Sequence, residues 1–260
     1  MGNCKPMATP MAVNEKLSKN DGMEKIDGAI YRSLVGSLIY LTHTRPDIVH
    51  AVSIVSRFMN EPSKSHFAAA KRILRYIKGT KSYGILYETE QDFKLTSFTD
   101  SNWAGCVDDR KSTSGYVFQL GSKAISWSSK KQATVALSSA EAEYVAATSA
   151  ACEAVWVRRI LADLRVGQDD PTTLFCDNMS AIAMTKNPVF HSRTKHIEIR
   201  HHFIRELVDK GEIKLHFCKT GDQLANICTK TIPAEKFLCF QKQLGVQDFS
   251  RLRRSVKNQN

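Results

Sequence analysis

The sequence has no C-x-x-C pair, and its seven cysteines are an odd number. A zinc site or a disulfide framework is therefore not expected, and reduced thiols are. No apolar run approaches the roughly 20 residues that cross a bilayer, and no secretory signal is visible. The Met1-Gly2-Asn3-Cys4 start has Pro6 where a myristoylation signal has Ser or Thr. No membrane partner is expected, and the location is expected to be cytoplasmic or nuclear. His191, His196, His201, His202 and His216 form no H-x-x-x-H face. There is no internal repeat. Acid is the scarcer charge: 26 Asp+Glu against 37 Lys+Arg, a net charge of +11. Such a surface favours polyanions, through release of counterions from phosphates. An acid cluster embedded in a basic chain then needs a reason, and metal binding is one.

What remains is a chain of 260 residues, 42% hydrophobic, with enough apolar content for a real core and one large or two small domains. Residues 1–28 are polar, carry Pro6, Pro10, Gly22 and Gly28, and are expected to form a flexible leader. Residues 29–92 are expected to be mainly helical. Tyr31 to Thr42 has leucines at helical spacing, and Pro46 opens a second helix that Pro62 stops. A third helix is predicted from Ser63 to Lys78, with Phe67, Ala70, Leu74 and Ile77 inward and Gly79 closing it. Lys71, Arg72, Arg75 and Lys78 form its outer face, which would serve either a phosphate backbone or plain solvation.

The period then becomes alternating. Strands are predicted at Lys94 to Thr99, Gly115 to Leu120 and Ala124 to Ser128, with a Gly121-Ser122 turn between the last two. A long Ala-rich helix from Ser138 to Leu164 is followed by a strand at Thr172 to Cys176 and a helix at Met179 to Lys186. A basic helix from Thr194 to Lys210, a strand at Ile213 to Cys218 and a helix from about Gln223 complete the order. The alternation predicts an α/β layered domain with a mixed sheet of five strands flanked by helices, over 93–232, with a helix and basic tail over 233–260.

Asp100, Glu143 and Asp177 are the candidate metal ligands. Hard oxygen donors suit Mg²⁺ better than Zn²⁺. Each has a plainer reading beside it. Asp100, after a strand, would serve as a turn residue, and Asp177 would cap the helix near Met179. Ser138 and Glu141 fit a capping box, which accounts for Glu141. Glu143 points to another face, beside Ala140, Ala147 and Ala151, where burial is costly unless the carboxylate is paired or bound to metal.

These residues resemble the ribonuclease H domain at the end of the Pol polyprotein of Ty1/copia retrotransposons, especially the plant type. The resemblance runs over nearly the whole chain. It is carried by Y-R-S-L-V-G-S-L-I-Y-L at 31–41, T-R-P-D-I at 44–48 and H-F-A-A-A-K-R-I-L-R-Y-I-K-G-T at 66–80. T-D-S-N-W-A-G at 99–105, K-S-T-S-G-Y at 111–116 and S-S-A-E-A-E-Y at 138–144 follow. C-D-N-M-S-A-I at 176–182, H-S-R-T-K-H-I at 191–197 and D-Q-L-A-N-I-C-T-K at 222–230 complete the set.

The resemblance implies a ribonuclease H fold after about residue 92, preceded by the thumb or connection tail of a reverse transcriptase. The polymerase palm is absent, so no DNA synthesis is expected. It further implies two Mg²⁺ ions about 4 Å apart, with Mn²⁺ as the alternative metal. Asp100 would bridge them, with Glu143 and Asp177 beside it. The substrate would be the RNA strand of an RNA–DNA hybrid, read by shape and the 2′-OH. Lys71, Arg72, Arg75, Lys78, Arg193 and Lys195 would supply phosphate contacts, and the remainder of a Pol polyprotein would be a partner. One position departs from the family pattern A-D-I-x-T-K: the fourth acid is Asn226. A neutral amide oxygen supplies no charge to a second ion, so slower cleavage is expected. The alternatives are a catalytically impaired nucleic-acid-binding remnant, or an interaction module that keeps the fold as a scaffold.

Overall fold

The computed structural model describes residues 3–88, 93–186 and 195–250. The chain divides into two compact units, Met1–Glu88 with Lys230–Asn260, and Thr89–Thr229. No helix among the described residues is long and apolar enough to cross a membrane.

The first unit begins with helix α1 (Gly28–Leu41), whose first turn is capped where the Asp27 carboxylate accepts the Ala29 N–H at 2.7 Å. The single helix expected after Pro46 is broken. A 3₁₀ turn at Pro46–Ile48 leads into α2 (Val49–Val55), and a second turn follows at Ser56–Phe58. Helix α3 (Lys64–Gly79) buries His66, Ala69, Ala70, Ile73 and Tyr76. The expected inward set, Phe67, Ala70, Leu74 and Ile77, is thus displaced by about one position. The cap explains the rotation: His66 Nδ1 accepts the Ser63 N–H at 3.0 Å, and its ring stacks on Phe58 at 3.8 Å. The 3–28 segment buries Thr9 and Met11. Strand β1 (Tyr83–Ile85) pairs antiparallel with β7 (Val246–Asp248), which follows helix α8 (Ala234–Gln243). The end of the chain therefore belongs with the N-terminal helices.

The second unit contains β2 (Leu95–Asn102), β3 (Thr113–Leu120), β4 (Lys123–Lys131), α4 (Ser139–Asp163), β5 (Thr172–Cys176), α5 (Met179–Lys186), α6 (Lys195–Asp209), β6 (Ile213–Phe217) and the short α7 (Asn226–Thr229). Its five strands lie in the order β4-β3-β2-β5-β6. The first three pair antiparallel, and β5 and β6 add in parallel to β2. This is the mixed, helix-flanked sheet of the ribonuclease H-like expectation. Gly121 makes the β3–β4 turn at φ +61°, and Gly211 closes α6 at φ +70°, both in the left-handed region glycine tolerates. Helix α4 packs on the sheet through Ala147, Ala150, Ala151 and Ala154, all buried with Leu95, Phe118 and Leu174. Small side chains let the helix axis approach the strands. The register then places the acids: Phe98 pairs with Phe175 across β2 and β5, so Asp100 and Asp177 stand two residues beyond the same rung.

Candidate metal centre

Asp100 lies inside β2, opposite Gly115 of β3, and is 1% exposed. It is a strand residue, which removes the turn reading. Glu143 is on the buried side of α4, and its Oε1 accepts the Ser101 N–H at 3.1 Å. Asp177 follows β5 and is half-buried. The cap of α5 is supplied by Asn178, whose Oδ1 accepts the Ala181 N–H at 3.0 Å, so Asp177 is not needed there. One ligand oxygen from each of Asp100, Glu143 and Asp177 lies within 4.8 Å of the other two. Glu141 does the local work expected of it: its N–H donates to Ser138 Oγ at 3.1 Å, and its carboxylate accepts the Leu137 N–H at 2.8 Å.

The surroundings favour a hard cation. Two thiols feel the same negative field. Burial, then the negative field of Glu143, pushes the Cys176 thiol up. Burial, then the carboxylates of Asp177, Asp222, Asp100 and Glu143, pushes Cys218 up to about 12. The three converging donors are carboxylate oxygens, a set that suits a hard divalent cation.

The Asn226 segment approaches the cluster through Thr229, whose hydroxyl donates to Asp100 Oδ2. Asn226 is 1% exposed; its Nδ2 donates to the Thr220 carbonyl at 3.0 Å, and its Oδ1 has no partner among the described residues. The helix expected from Gln223 is only the four residues of α7, and Asp222 is exposed, outside the cluster. Gly115 makes the packing of α7 feasible: a Cβ there would stand 2.7 Å from both Cys228 Cβ and Thr229 Cγ2.

No protein-family model matches the chain. Curated relatives do. The retrovirus-related Pol polyprotein from transposon RE1 of Arabidopsis thaliana is 44% identical over 246 residues, 95% of this chain and 17% of that protein. The Pol polyprotein from transposon TNT 1-94 of Nicotiana tabacum is 42% identical over 256 residues, 95% of this chain and 19% of that protein. Over this stretch the chain is homologous to the Pol polyproteins of plant Ty1/copia-type retrotransposons. It spans less than a fifth of the length of these two relatives. Among solved structures, the N-terminal RNase H domain of Rv2228c from Mycobacterium tuberculosis is similar at a TM-score of 0.40 and 10% identity, over 58% of this chain and 97% of that one.

Of the basic residues singled out from the sequence, Lys71, Arg72, Arg75 and Lys78 lie on α3 of the first unit. The last three are engaged with the N-terminal segment. Arg72 donates to Thr9 Oγ1 at 3.1 Å, Arg75 Nε to the Lys5 carbonyl at 2.8 Å, and Lys78 Nζ to the Cys4 carbonyl at 2.8 Å. Lys71 lies over the Phe67 ring at 4.1 Å. Arg193 lies outside the described residues, as does the side chain of Lys195, which opens α6. Sequence reasoning missed Ser101, Gly115, Gln132, Gln223 and Thr229. Ser101, Gly115, Gln223 and Thr229 sit inside the motifs and Gln132 lies between two of them, but only the folded register and hydrogen bonds show that they touch the acids or their flanks.

Proposed function

We propose that this chain is a divalent-metal-dependent nuclease that hydrolyses the RNA strand of RNA–DNA hybrids. The observation that carries the reading is the convergence of Asp100, Glu143 and Asp177 within 4.8 Å, from three separate elements of the sheet unit. Those carboxylates would hold the metal. When bound, divalent ions activate a water and stabilise the leaving oxygen of a phosphodiester. The chain's own part is to fix the ligands. The Ser101 N–H orients Glu143, and the Thr229 hydroxyl orients Asp100. The net charge of +11 draws the polyanionic substrate. Asn226 weakens the centre, because its amide contributes no negative charge.

The test is incubation of the purified chain with a hybrid labelled on its RNA strand, with Mg²⁺ and with EDTA, beside Asp100→Asn. Cleavage that needs Mg²⁺ and disappears in the variant is expected. A folded chain that binds hybrid without cutting it would instead be a binding remnant.

A further inference from the structure

Two glutamines are buried against the residues that flank the carboxylates. Gln132, which follows β4, is 6% exposed. Its Nε2 donates to the Ala142 carbonyl and to Ser114 Oγ, each at 2.9 Å, and approaches Ser101 Oγ at 3.4 Å. Ala142 precedes Glu143, Ser101 follows Asp100, and Ser101 faces Ser114 across the β2–β3 ladder. One amide therefore joins the helix carrying Glu143 to the strand carrying Asp100, one residue from each acid. Gln132 Oε1 has no partner among the described residues, so this side chain bonds through its NH₂ alone.

Gln223 acts on the other flank. It is fully buried, and its Nε2 donates to the Thr99 carbonyl at 3.0 Å and the Phe175 carbonyl at 3.3 Å. Thr99 precedes Asp100, and Phe175 lies two residues before Asp177. Its Oε1 accepts the Ala225 N–H at 3.2 Å, which ties in the segment leading to α7. Gln is mostly a surface residue, and apolar side chains would join these elements without the desolvation of an amide. Amide bonds add what apolar packing lacks, a fixed direction and distance.

We propose that Gln132 and Gln223 are positioning residues that set the separation of Asp100, Glu143 and Asp177, and through it the affinity of the cluster for a divalent cation. The proposal rests on the metal-centre reading above. A small ion with strict octahedral geometry tolerates little displacement of its ligands, and residues that orient ligands through hydrogen bonds are worth about 10- to 100-fold in metal affinity.

The experiment titrates the full chain with Mn²⁺, reading free ion by electron paramagnetic resonance, for the unaltered protein, Gln132→Met, Gln223→Met and Asp100→Asn. Methionine keeps the length and removes the bonds. Melting in EDTA and circular dichroism run alongside. Each methionine variant is expected to fold and to bind Mn²⁺ about 10- to 100-fold more weakly. A purely structural role would lower the melting temperature in EDTA and leave Mn²⁺ affinity unchanged, which overturns the proposal. Should Gln132→Met fail to fold, Ser114→Ala removes one acceptor of the clamp. A smaller loss of affinity supports the proposal, and an unchanged affinity overturns it. If the unaltered chain binds Mn²⁺ no better than Asp100→Asn, the metal-centre reading itself fails, and the proposal falls with it.

Discussion

Asn226 differs from an aspartate by one NH₂ group, and that group is in use: it donates to the Thr220 carbonyl at 3.0 Å. An aspartate would set a carboxylate against that carbonyl, at a cost of about 1–3 kcal/mol for the buried polar groups left unpaired. Negative charge would in turn favour a bound cation. Asn226→Asp is therefore expected to melt earlier than the unaltered chain in EDTA, to be stabilised more by Mg²⁺, and to cleave hybrid faster. Unchanged cleavage together with an unchanged response to Mg²⁺ would show that position 226 does not tune the centre. Gly115 supports the same segment by having no side chain. A Cβ at 2.7 Å from Cys228 and Thr229 must push α7 outward, and the Thr229 bond to Asp100 goes with it. Gly115→Ala is expected to lose about 1–3 kcal/mol of stability by overpacking, read by urea denaturation. Cleavage should fall further than folded content does; a loss confined to stability would separate α7 from the site.

The elements were legible to different degrees, for identifiable reasons. Strands β2, β3, β4, β5 and β6 and helices α1, α3, α4, α5 and α6 lie where periodicity and punctuation place them, because Pro, Gly and Ser mark their ends. The face of α3 was not legible, because a histidine in the cap, stacked on Phe58, outranks the apolar pattern. The pairing of β1 with β7 was invisible, since three-residue strands far apart in sequence leave no local period. The basic face of α3 was legible as a face, but not its occupant. Residues 4–9 lie along it, with the Met7 N–H donating to the Arg75 carbonyl at 3.3 Å, so a phosphate backbone reaching Arg72, Arg75 and Lys78 must displace that segment. Arg75→Ala removes one tie, worth about 0.5–1.5 kcal/mol. Amide exchange over residues 4–9 is expected to quicken about 2- to 10-fold, by mass spectrometry of the protected peptides. No change would mean that the remaining ties hold the segment alone.

At the scale of the whole chain, the acid cluster was legible as three residues and became a site only through topology. Neither Asp100 nor Asp177 is informative alone; the parallel register of β2 with β5 sets them beyond one rung. The unit formed by the two ends of the chain was not legible, because its bonds span large sequence separations. Its centre is the T-R-P-D motif. Arg45 holds Asp47 in two bonds, at 2.8 and 2.7 Å, and also donates to Thr80 Oγ1 at 2.8 Å. Tyr76 OH donates to Asp47 Oδ2 at 2.5 Å, and Gln241 Nε2, on α8, donates to the same oxygen at 3.0 Å. A single carboxylate thus collects bonds from α3, from α8 and from its own turn. Burial raises the Tyr76 phenol, and the Asp47 charge raises it further, which keeps its proton available for that bond. Asp47→Ala leaves the Arg45 guanidinium buried without its counter-charge, which costs about 3–5 kcal/mol in such pairs. The variant is expected to unfold at lower urea, with the earliest loss of exchange protection in α3, α8 and the β1–β7 pair together. Loss in α3 with α8 still protected would show that the C-terminal helix is held by its apolar contacts, Phe237 on Tyr76 among them, and not by the carboxylate that both helices share.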